Sequence, residues 1–265
     1  MQFGTIASGS SGNCLYAGDG ENHILIDAGI SGKRIQAGLE SFGVNPGAID
    51  AVLVTHEHID HIAGLGVIAR KYKIPIYATQ KTLEEIEHTK SVGKIPTELF
   101  RTVRPENTYC IGDIHIRPFS ISHDAADPVS YVLENHCVKF GMVTDLGVYD
   151  EDTVEHLKDS DLLYVEANHD IRMLQAGPYP YYLKQRILGS RGHLCNEKAG
   201  SLIRELCSDR LKNVILGHLS KENNYARLAY ETVKLEVTLA DNDYKGEDLD
   251  MFVAKRDTVS QIVTV

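Results

Sequence analysis

The sequence lacks any apolar run that is long enough to cross a membrane. A spanning helix needs about 20 consecutive apolar residues, and no segment of these 265 residues approaches that length. Residues 1–5 also lack the basic region and the long apolar stretch of a secretory signal. We therefore expect a protein that has no membrane partner and no signal peptide.

Cysteine is scarce and scattered. The five cysteines are odd in number, lie far apart at positions 14, 110, 137, 195 and 207, and form no C-x-x-C motif. This usage argues against a disulfide framework and is typical of free thiols in a reducing compartment. We therefore predict a cytoplasmic location.

Positive charge is in short supply. The chain has 27 Lys and Arg against 37 Asp and Glu, and its formal net charge is -10. This balance argues mildly against a nucleic-acid binder. Bound metal would neutralise some of these carboxylates, however, and a local basic patch can act within an acidic protein. The hydrophobic content of 43% is that of an ordinary globular protein with a sizeable core.

Short apolar runs alternate with helical patterns, and neither linkers nor repeats interrupt them. This order predicts an α/β fold with two sheets packed face to face and helices outside, in one domain over residues 1–265. The predicted strands are 2–7, 23–27, 50–55, 75–78, 107–111, 114–120, 129–135, 137–144, 161–166, 212–216, 249–254 and 260–264. The predicted helices are 33–42, 62–72, 81–88, 151–158, 197–208 and 223–236. The segment 172–195 is predicted to be one long irregular loop, which in a compact domain is usually functional or disordered.

The densest group of candidate metal ligands is Thr55–His61, with the letters T-H-E-H-I-D-H. It lies on a turn between a predicted buried strand and a predicted helix. His56 and His58 are two residues apart, point to the same side of an extended segment and can share one metal. Asp60 and His61 enter the helix and can serve a second metal. The zincin pattern H-E-x-x-H is excluded because Asp60 stands where its second histidine would be.

Four further candidate ligands stand at the ends of apolar strands, where open α/β architectures gather their sites. They are Asp27, His123, Asp145 and His218. A single strand-end residue of this kind is as often a cap or a solvated turn. Their number and their order beside the first cluster favour a metal site.

In this order the residues resemble the metallo-β-lactamase superfamily. That family carries an aspartate after its second strand, then H-x-H-x-D-H, a histidine, an aspartate and a final histidine. The resemblance spans residues 2–220 and implies a four-layer αββα sandwich. It implies two divalent metal ions, zinc or manganese with iron also possible, that hold a bridging hydroxide as the nucleophile.

The resemblance also assigns the ligands. It implies that the first metal is held by His56, His58, His123 and Asp145. It implies that the second metal is held by Asp60, His61, Asp145 and His218, with Asp145 as the bridge. Asp27 would orient the ligands through hydrogen bonds.

Two segments resemble those of ribonuclease Z-type phosphodiesterases. Gly192–Gly200 is similar to G-H-x-T-x-x-x-A-G with cysteine for threonine, and Tyr164–Ala167 is similar to H-E-A-T with valine for histidine. The resemblance implies that Glu166 holds His193 protonated near the leaving oxygen, where it acts as a general acid. Asp60 is counted as catalytic beside this pair. The alternative is that His193 only caps a helix.

Two further segments are candidates for substrate binding. In the turn Ser8–Asn13, small residues let backbone amides approach an oxyanion, unless it is only a tight turn. Segment 179–191 interleaves tyrosines with cations that suit bases and phosphates, unless it is an ordinary surface loop. The candidate substrate-binding residues are Ser10, Ser11, Asn13, Asn168, His169, Lys184, Arg186 and Arg191.

The opening turn Ser8–Cys14, the segment Glu166–Asp170 and the ending Leu216–Asn224 together resemble the WalJ/YycJ family of bacterial cytoplasmic metallo-hydrolases. Members of that family are regarded as DNA exonucleases. The resemblance covers nearly the whole chain and implies a dinuclear phosphodiesterase that degrades double-stranded DNA from 5′ to 3′. A hydrolase of a small phosphodiester such as a cyclic nucleotide, a ribonuclease, and a non-catalytic binding module remain as alternatives. The oligomeric state stays open.

Overall fold

The computed structural model describes residues 1–239 and 244–265, and these divide into two compact units. Unit 1 comprises Met1–Ser120, Ala125–Cys137 and Lys255–Val265. Unit 2 comprises Ile121–Asp124 and Val138–Ala254. The expectation of a single domain over residues 1–265 stays a prediction.

The strands and helices follow one another in mixed order along both units. The strands are β1 (Gln2–Ala7), β2 (Cys14–Gly18), β3 (His23–Ile26), β4 (Ala51–Leu53), β5 (Ile76–Thr79), β6 (Phe100–Val103), β7 (Tyr109–Ile111), β8 (Ile114–Ser120), β9 (Val129–Asn135), β10 (Val138–Val143), β11 (Leu162–Glu166), β12 (Asn213–Gly217), β13 (Asp250–Val253) and β14 (Val263–Thr264). The α-helices are α1 (Gly32–Ser41), α2 (Ile59–Ile62), α3 (Leu65–Tyr72), α4 (Gln80–His88), α5 (Glu151–Leu157), α6 (Ile171–Ala176), α7 (Tyr181–Leu188), α8 (Asn196–Leu206) and α9 (Ala226–Thr238). Short 3-10 turns lie at Pro46–Ala48, Lys90–Val92 and Thr97–Leu99.

The main sheet of unit 1 has the strand order β14-β1-β2-β3-β4-β5-β6. Strands β1 to β3 pair antiparallel, whereas β3 to β6 pair in parallel. Because parallel strands end at the same edge of a sheet, the residues that follow β3 and β4 lie side by side. Asp27 and the segment Thr55–His61 are therefore neighbours.

Helices pack their apolar faces on this sheet. In α1 the buried residues include Ile35 and Leu39, and in α3 they include Leu65 and Ile68, all part of one apolar core. Their spacing of three and four residues puts each pair on one helix face. Strands β7, β8 and β9 form an antiparallel ladder in the same unit.

Unit 2 is built on the parallel strands β10, β11, β12 and β13, which pair in that order. Helices connect successive strands, as parallel pairing requires. Candidate site residues stand at the carboxyl ends of neighbouring strands: Asp145 two residues beyond β10, Glu166 at the end of β11, and His218 directly after β12. The strand order thus brings them to one edge.

Most predicted elements are confirmed within one to three residues, but two strands were missed and two expectations are wrong. Strands β2 and β6 were not predicted. The helix expected over 62–72 is divided into α2 and α3 at Gly64, where a Cβ atom would lie 2.0 Å from the Ile30 carbonyl oxygen. The backbone therefore approaches too closely there for any side chain.

The segment 172–195 is not one irregular loop, because it contains α7 and almost all of α6. Helix α7 buries only Ile187, whereas Tyr181 and Tyr182 are 76% and 74% exposed. A helix that buries so little shows no apolar periodicity for sequence analysis to detect. Among the described residues, no helix has the length and apolar character that a membrane crossing needs.

Candidate metal and catalytic centre

Three imidazoles of unit 1 converge where the chain leaves β4. The ring centroids of His56 and His58 are 4.6 Å apart, and those of His56 and His61 are 4.2 Å apart. His56 and His61 are fully buried, and His58 is half-buried. Imidazoles that lie this close together and are withdrawn from solvent are suited to metal binding.

Asp27 and Thr55 fix the orientation of these rings. His61 Nδ1 donates to Asp27 Oδ2 at 2.7 Å, because a carboxylate only accepts. The Thr55 hydroxyl donates to the same oxygen at 2.9 Å and lies 3.0 Å from His56 Nδ1. With its proton on Nδ1, His61 presents the lone pair of Nε2 to a ligand. Asp27 therefore has the geometry that its predicted orienting role requires.

Asn13 closes the turn that precedes β2. Its side-chain oxygen accepts a hydrogen bond from Gly9 N at 2.9 Å, and its amide nitrogen lies 3.1 Å from His61 Nε2. Asn13 is buried, whereas Ser10 and Ser11 are exposed at the tip of the turn. Among these predicted substrate-binding residues, only the two serines thus face solvent.

Site residues at three strand ends have left-handed backbone conformations. The φ angles of Asp27, Asp145 and His218 are 60°, 55° and 52°. Such conformations are uncommon for residues other than glycine and cost about 1–3 kcal/mol each. Strain of this kind persists where the surrounding structure holds it and is common at functional sites.

The corresponding cluster of unit 2 gathers two carboxylates and two imidazoles. One ligand atom from each of Asp145, Glu166, His193 and His218 lies within 4.8 Å of the others. The Nδ1 atoms of His193 and His218 both lie 3.5 Å from Asp145 Oδ1. His123 Nε2 lies 3.7 Å from the same oxygen. Asp145 is thus central to the cluster.

Glu166 is fully buried and serves both imidazoles. Its Oε2 accepts from His193 Nδ1 at 3.0 Å and from His218 Nδ1 at 2.9 Å. Its Oε1 accepts from the backbone amides of Leu146 and Leu194, both at 2.9 Å. The carboxylate therefore holds the His218 proton on Nδ1, so that Nε2 presents its lone pair. Sequence analysis predicted the contact with His193 and missed that with His218, although β11 and β12 are parallel neighbours.

The charges of Glu166 and His193 stabilise each other. Burial raises the pKa of Glu166, but the positive charge of His193 and the hydrogen bonds from His193 and His218 outweigh it and lower that pKa to about 2. Burial lowers the pKa of His193, yet the Glu166 carboxylate and then Asp145 more than offset burial and raise it above its ordinary value. A raised pKa keeps an imidazole protonated to higher pH than usual, which suits a general acid.

The predicted substrate-binding cations all have partners within unit 2. Lys184 Nζ donates to the Gln175 carbonyl at 2.8 Å. Arg186 pairs with Asp124, and Arg191 Nε donates to the His123 carbonyl at 2.9 Å. These contacts link two of the three cations to the segment that carries His123.

Asn168 and His169 are buried beneath the cluster. The Asn168 side chain donates to the His218 carbonyl at 2.9 Å and so holds the strained turn at that residue. His169 is 1% exposed, and burial lowers its pKa to about 4, so its ring is neutral. Neither ring nitrogen of His169 has a hydrogen-bond partner within 1–239 and 244–265.

The donors in each unit fit divalent metal ions. They are imidazole nitrogens and carboxylate oxygens, which zinc, manganese and iron accept. Several are buried and are oriented by a carboxylate, a hydroxyl or a carbonyl, as metal-binding histidines are. Each cluster by itself is thus suited to hold metal.

Comparison with known proteins identifies the family and two similar proteins. Residues 22–218 match the family model described as Beta-lactamase superfamily domain. Exodeoxyribonuclease YycJ of Bacillus anthracis is 41% identical over 233 residues, which cover 88% of each chain. Exodeoxyribonuclease WalJ of Streptococcus pneumoniae is 38% identical over 265 residues, which cover 100% of this chain and 98% of the relative.

A solved structure supports the fold. The metallo-β-lactamase fold protein YhfI of Bacillus subtilis superposes with a TM-score of 0.68 at 17% identity, over 98% of both chains. The predicted fold class, the α/β sandwich of the metallo-β-lactamase fold, is confirmed.

Proposed function

Because this chain belongs to the beta-lactamase superfamily and, within it, to the family of the exodeoxyribonucleases YycJ and WalJ, we propose that it shortens DNA with two divalent metal ions. It is a metal-dependent hydrolase of phosphodiester bonds, a nuclease. The finer proposal is a 5′-to-3′ exonuclease on double-stranded DNA. Zinc and manganese are the proposed metals, iron is the third option, and the cytoplasm is the proposed location.

The observation that carries the proposal is the group of Asp145, Glu166, His193 and His218, of which all but His193 are buried, in a chain with full-length nuclease relatives. Loss of this chemistry would be expected in a module that only binds. Here the carboxylates and imidazoles are present, and Glu166 orients both rings through hydrogen bonds.

We propose that the ligands are those expected from the sequence: His56, His58, Asp60, His61, His123, Asp145 and His218. When bound, the two ions supply a nucleophile from water and neutralise the charge that develops on the phosphoryl oxygens. His193 donates its proton to the departing oxygen, and Glu166 holds that imidazole charged and in place. Asp60 would contribute to the reaction as a ligand of one of these ions.

Helix α7 is the proposed contact surface for the DNA strand. Tyr181 and Tyr182 expose most of their rings, and exposed tyrosines stack on bases. We propose that phosphates contact the cations Lys184, Arg186 and Arg191 of unit 2. We also propose that the exposed Ser10 and Ser11 of unit 1 bind substrate. The remaining candidate substrate-binding residues, Asn13, Asn168 and His169, are buried. We propose that they support the exposed contact residues rather than touch the substrate directly.

We predict that the double substitution Tyr181→Ala and Tyr182→Ala weakens binding of DNA at least roughly tenfold, because each stacked base contributes about 1–3 kcal/mol. Turnover of a nitrophenyl phosphodiester should stay unchanged, since α7 carries none of the proposed ligands. Fluorescence anisotropy with a labelled oligonucleotide measures the affinity. Tyr225→Ala is the matched control, because Tyr225 is also in unit 2 and is 55% exposed. Equal DNA affinities of the double variant and the control would refute the proposed role of α7 in DNA binding.

A second candidate is a hydrolase of a small phosphodiester such as a cyclic nucleotide. The net charge of -10 favours it, because an acidic protein repels a polyanion. The affinity for a polymer falls steeply with salt concentration, since phosphate contacts release counterions, whereas a small substrate responds weakly. We expect a steep slope for DNA. A flat slope together with efficient turnover of a cyclic nucleotide would exclude the nuclease proposal.

A further inference from the structure

Residues 186–192, here called the strap, run from the end of α7 to His193 and hold residues 122–124. Ser122 Oγ donates to the Ser190 carbonyl at 2.8 Å, and Arg191 Nε donates to the His123 carbonyl at 2.9 Å. His123 Nδ1 donates to the Gly192 carbonyl at 3.1 Å. This last bond places the His123 proton on Nδ1, so that Nε2 presents its lone pair.

The strap fits against its neighbours without spare room. A Cβ atom on Gly147 would lie 2.2 Å from the Ser190 carbonyl oxygen, and one on Gly192 would lie 2.1 Å from that of Ile187. Gly147 N also donates to the Ser122 carbonyl at 2.9 Å. The strap is therefore packed between the segment that carries His123 and the turn that follows Asp145.

Arg186 supplies the charged contact between the strap and this segment. Its Nη2 donates to Asp124 Oδ1 at 3.0 Å, and its Nε donates to Oδ2, so the guanidinium engages both carboxylate oxygens. A fork of this kind fixes direction as well as distance. Asp124 Oδ1 lies 3.4 Å from His123 Nε2. The pair therefore meets His123 at the nitrogen that would bind metal.

We propose that Arg186 is a positioning residue, which anchors the segment that carries His123 through Asp124 and so fixes His123 for metal binding. The inference rests on the proposed function, because it takes His123 as a metal ligand. It assigns Arg186 a task beyond the contact with phosphate expected from the sequence. The side chain is 51% exposed, and exposed ion pairs contribute little to folding stability, so the loss of Arg186 should act on metal binding rather than on folding.

Metal binding by the variants tests this role. We expect Arg186→Ala to weaken zinc binding about 10–100-fold, as loss of an orienting partner does, and to change the visible spectrum of the cobalt-substituted protein. If Arg186 acts through Asp124, then Asp124→Ala and the double variant should show the same loss as Arg186→Ala, because the two contributions are coupled. Arg186→Lys keeps the charge and should recover part of the affinity. Titration against a chromophoric chelator measures each affinity.

Arg210→Ala is the matched control. Arg210 pairs with Asp161 in the same unit and is 46% exposed, yet neither residue belongs to the proposed centre. It should bind zinc as the wild type does. Wild-type affinity and spectrum in Arg186→Ala would overturn the proposal, as would a much larger loss in Asp124→Ala, which would make Asp124 itself a ligand. If Arg186→Ala does not fold, unchanged affinity in Arg186→Lys and Asp124→Ala overturns it. Failure of the proposed function shows separately, as a wild-type protein that binds no metal.

Discussion

Replacement of Asp145 by alanine is expected to remove metal binding and hydrolysis together. A carboxylate that bridges two ions holds both, and the proposed bridge lies within 3.5 Å of His193 and His218. Metal catalysis contributes several kcal/mol of transition-state stabilisation, so turnover should fall by roughly 10³-fold or more. Elemental analysis of the purified variant and hydrolysis of a nitrophenyl phosphodiester measure the two losses.

Asp150→Ala is the control for this substitution. Asp150 is another aspartate of unit 2, and it caps α5 by accepting from Thr153 N. Its loss should lower the free energy of unfolding by about 1 kcal/mol and leave metal content and turnover intact. An Asp145→Ala protein with two metals and wild-type turnover would rule out the bridging assignment.

His193→Ala is expected to slow cleavage of DNA by roughly 10²–10⁴-fold while both metals stay bound, because it removes only the proton donor. A nitrophenolate leaves without a proton, so the loss should shrink on a nitrophenyl phosphodiester. Comparison of the two rates in one preparation gives the result. Equal losses on both substrates would assign His193 another task, such as binding of phosphate.

The pH dependence of cleavage should report the protonation state of His193. A general acid works only when protonated, so the rate falls as pH rises through the pKa of His193. Burial lowers that pKa, but Glu166 more than offsets burial and raises it above its ordinary value, so the fall should lie at higher pH than for an ordinary imidazole. Glu166→Gln should move the fall to lower pH, and in His193→Ala it should vanish. An unchanged profile in both variants would contradict the assignment.

Sequence analysis predicted the parts of the site that local patterns encode. The segment Thr55–His61 follows β4, a strand that was predicted from its run of apolar residues. Asp27, Asp145 and His218 lie at strand ends for the same reason. Within each unit, parallel pairing then brings the residues at neighbouring strand ends together, which the order of elements anticipates.

Contacts between distant residues could not be predicted in this way. Arg186 meets Asp124 across 62 positions, and Glu166 meets His218 across 52. No local periodicity reports such pairs, because they depend on how distant segments pack in the folded chain. Helix α7 escaped detection because it buries almost no apolar surface, and the same exposure makes it a candidate for substrate contact.

The nuclease activity itself is tested most directly by the products of DNA digestion. The purified protein is incubated with duplex DNA that carries a label at the 5′ or the 3′ end, with Mn²⁺ or Zn²⁺ or with a chelator, and product lengths are read over time. We predict metal-dependent release of short labelled products from the 5′ label at the earliest times and a gradually shortening ladder from the 3′ label. Intact DNA in every metal, beside rapid hydrolysis of a cyclic nucleotide, would contradict the account.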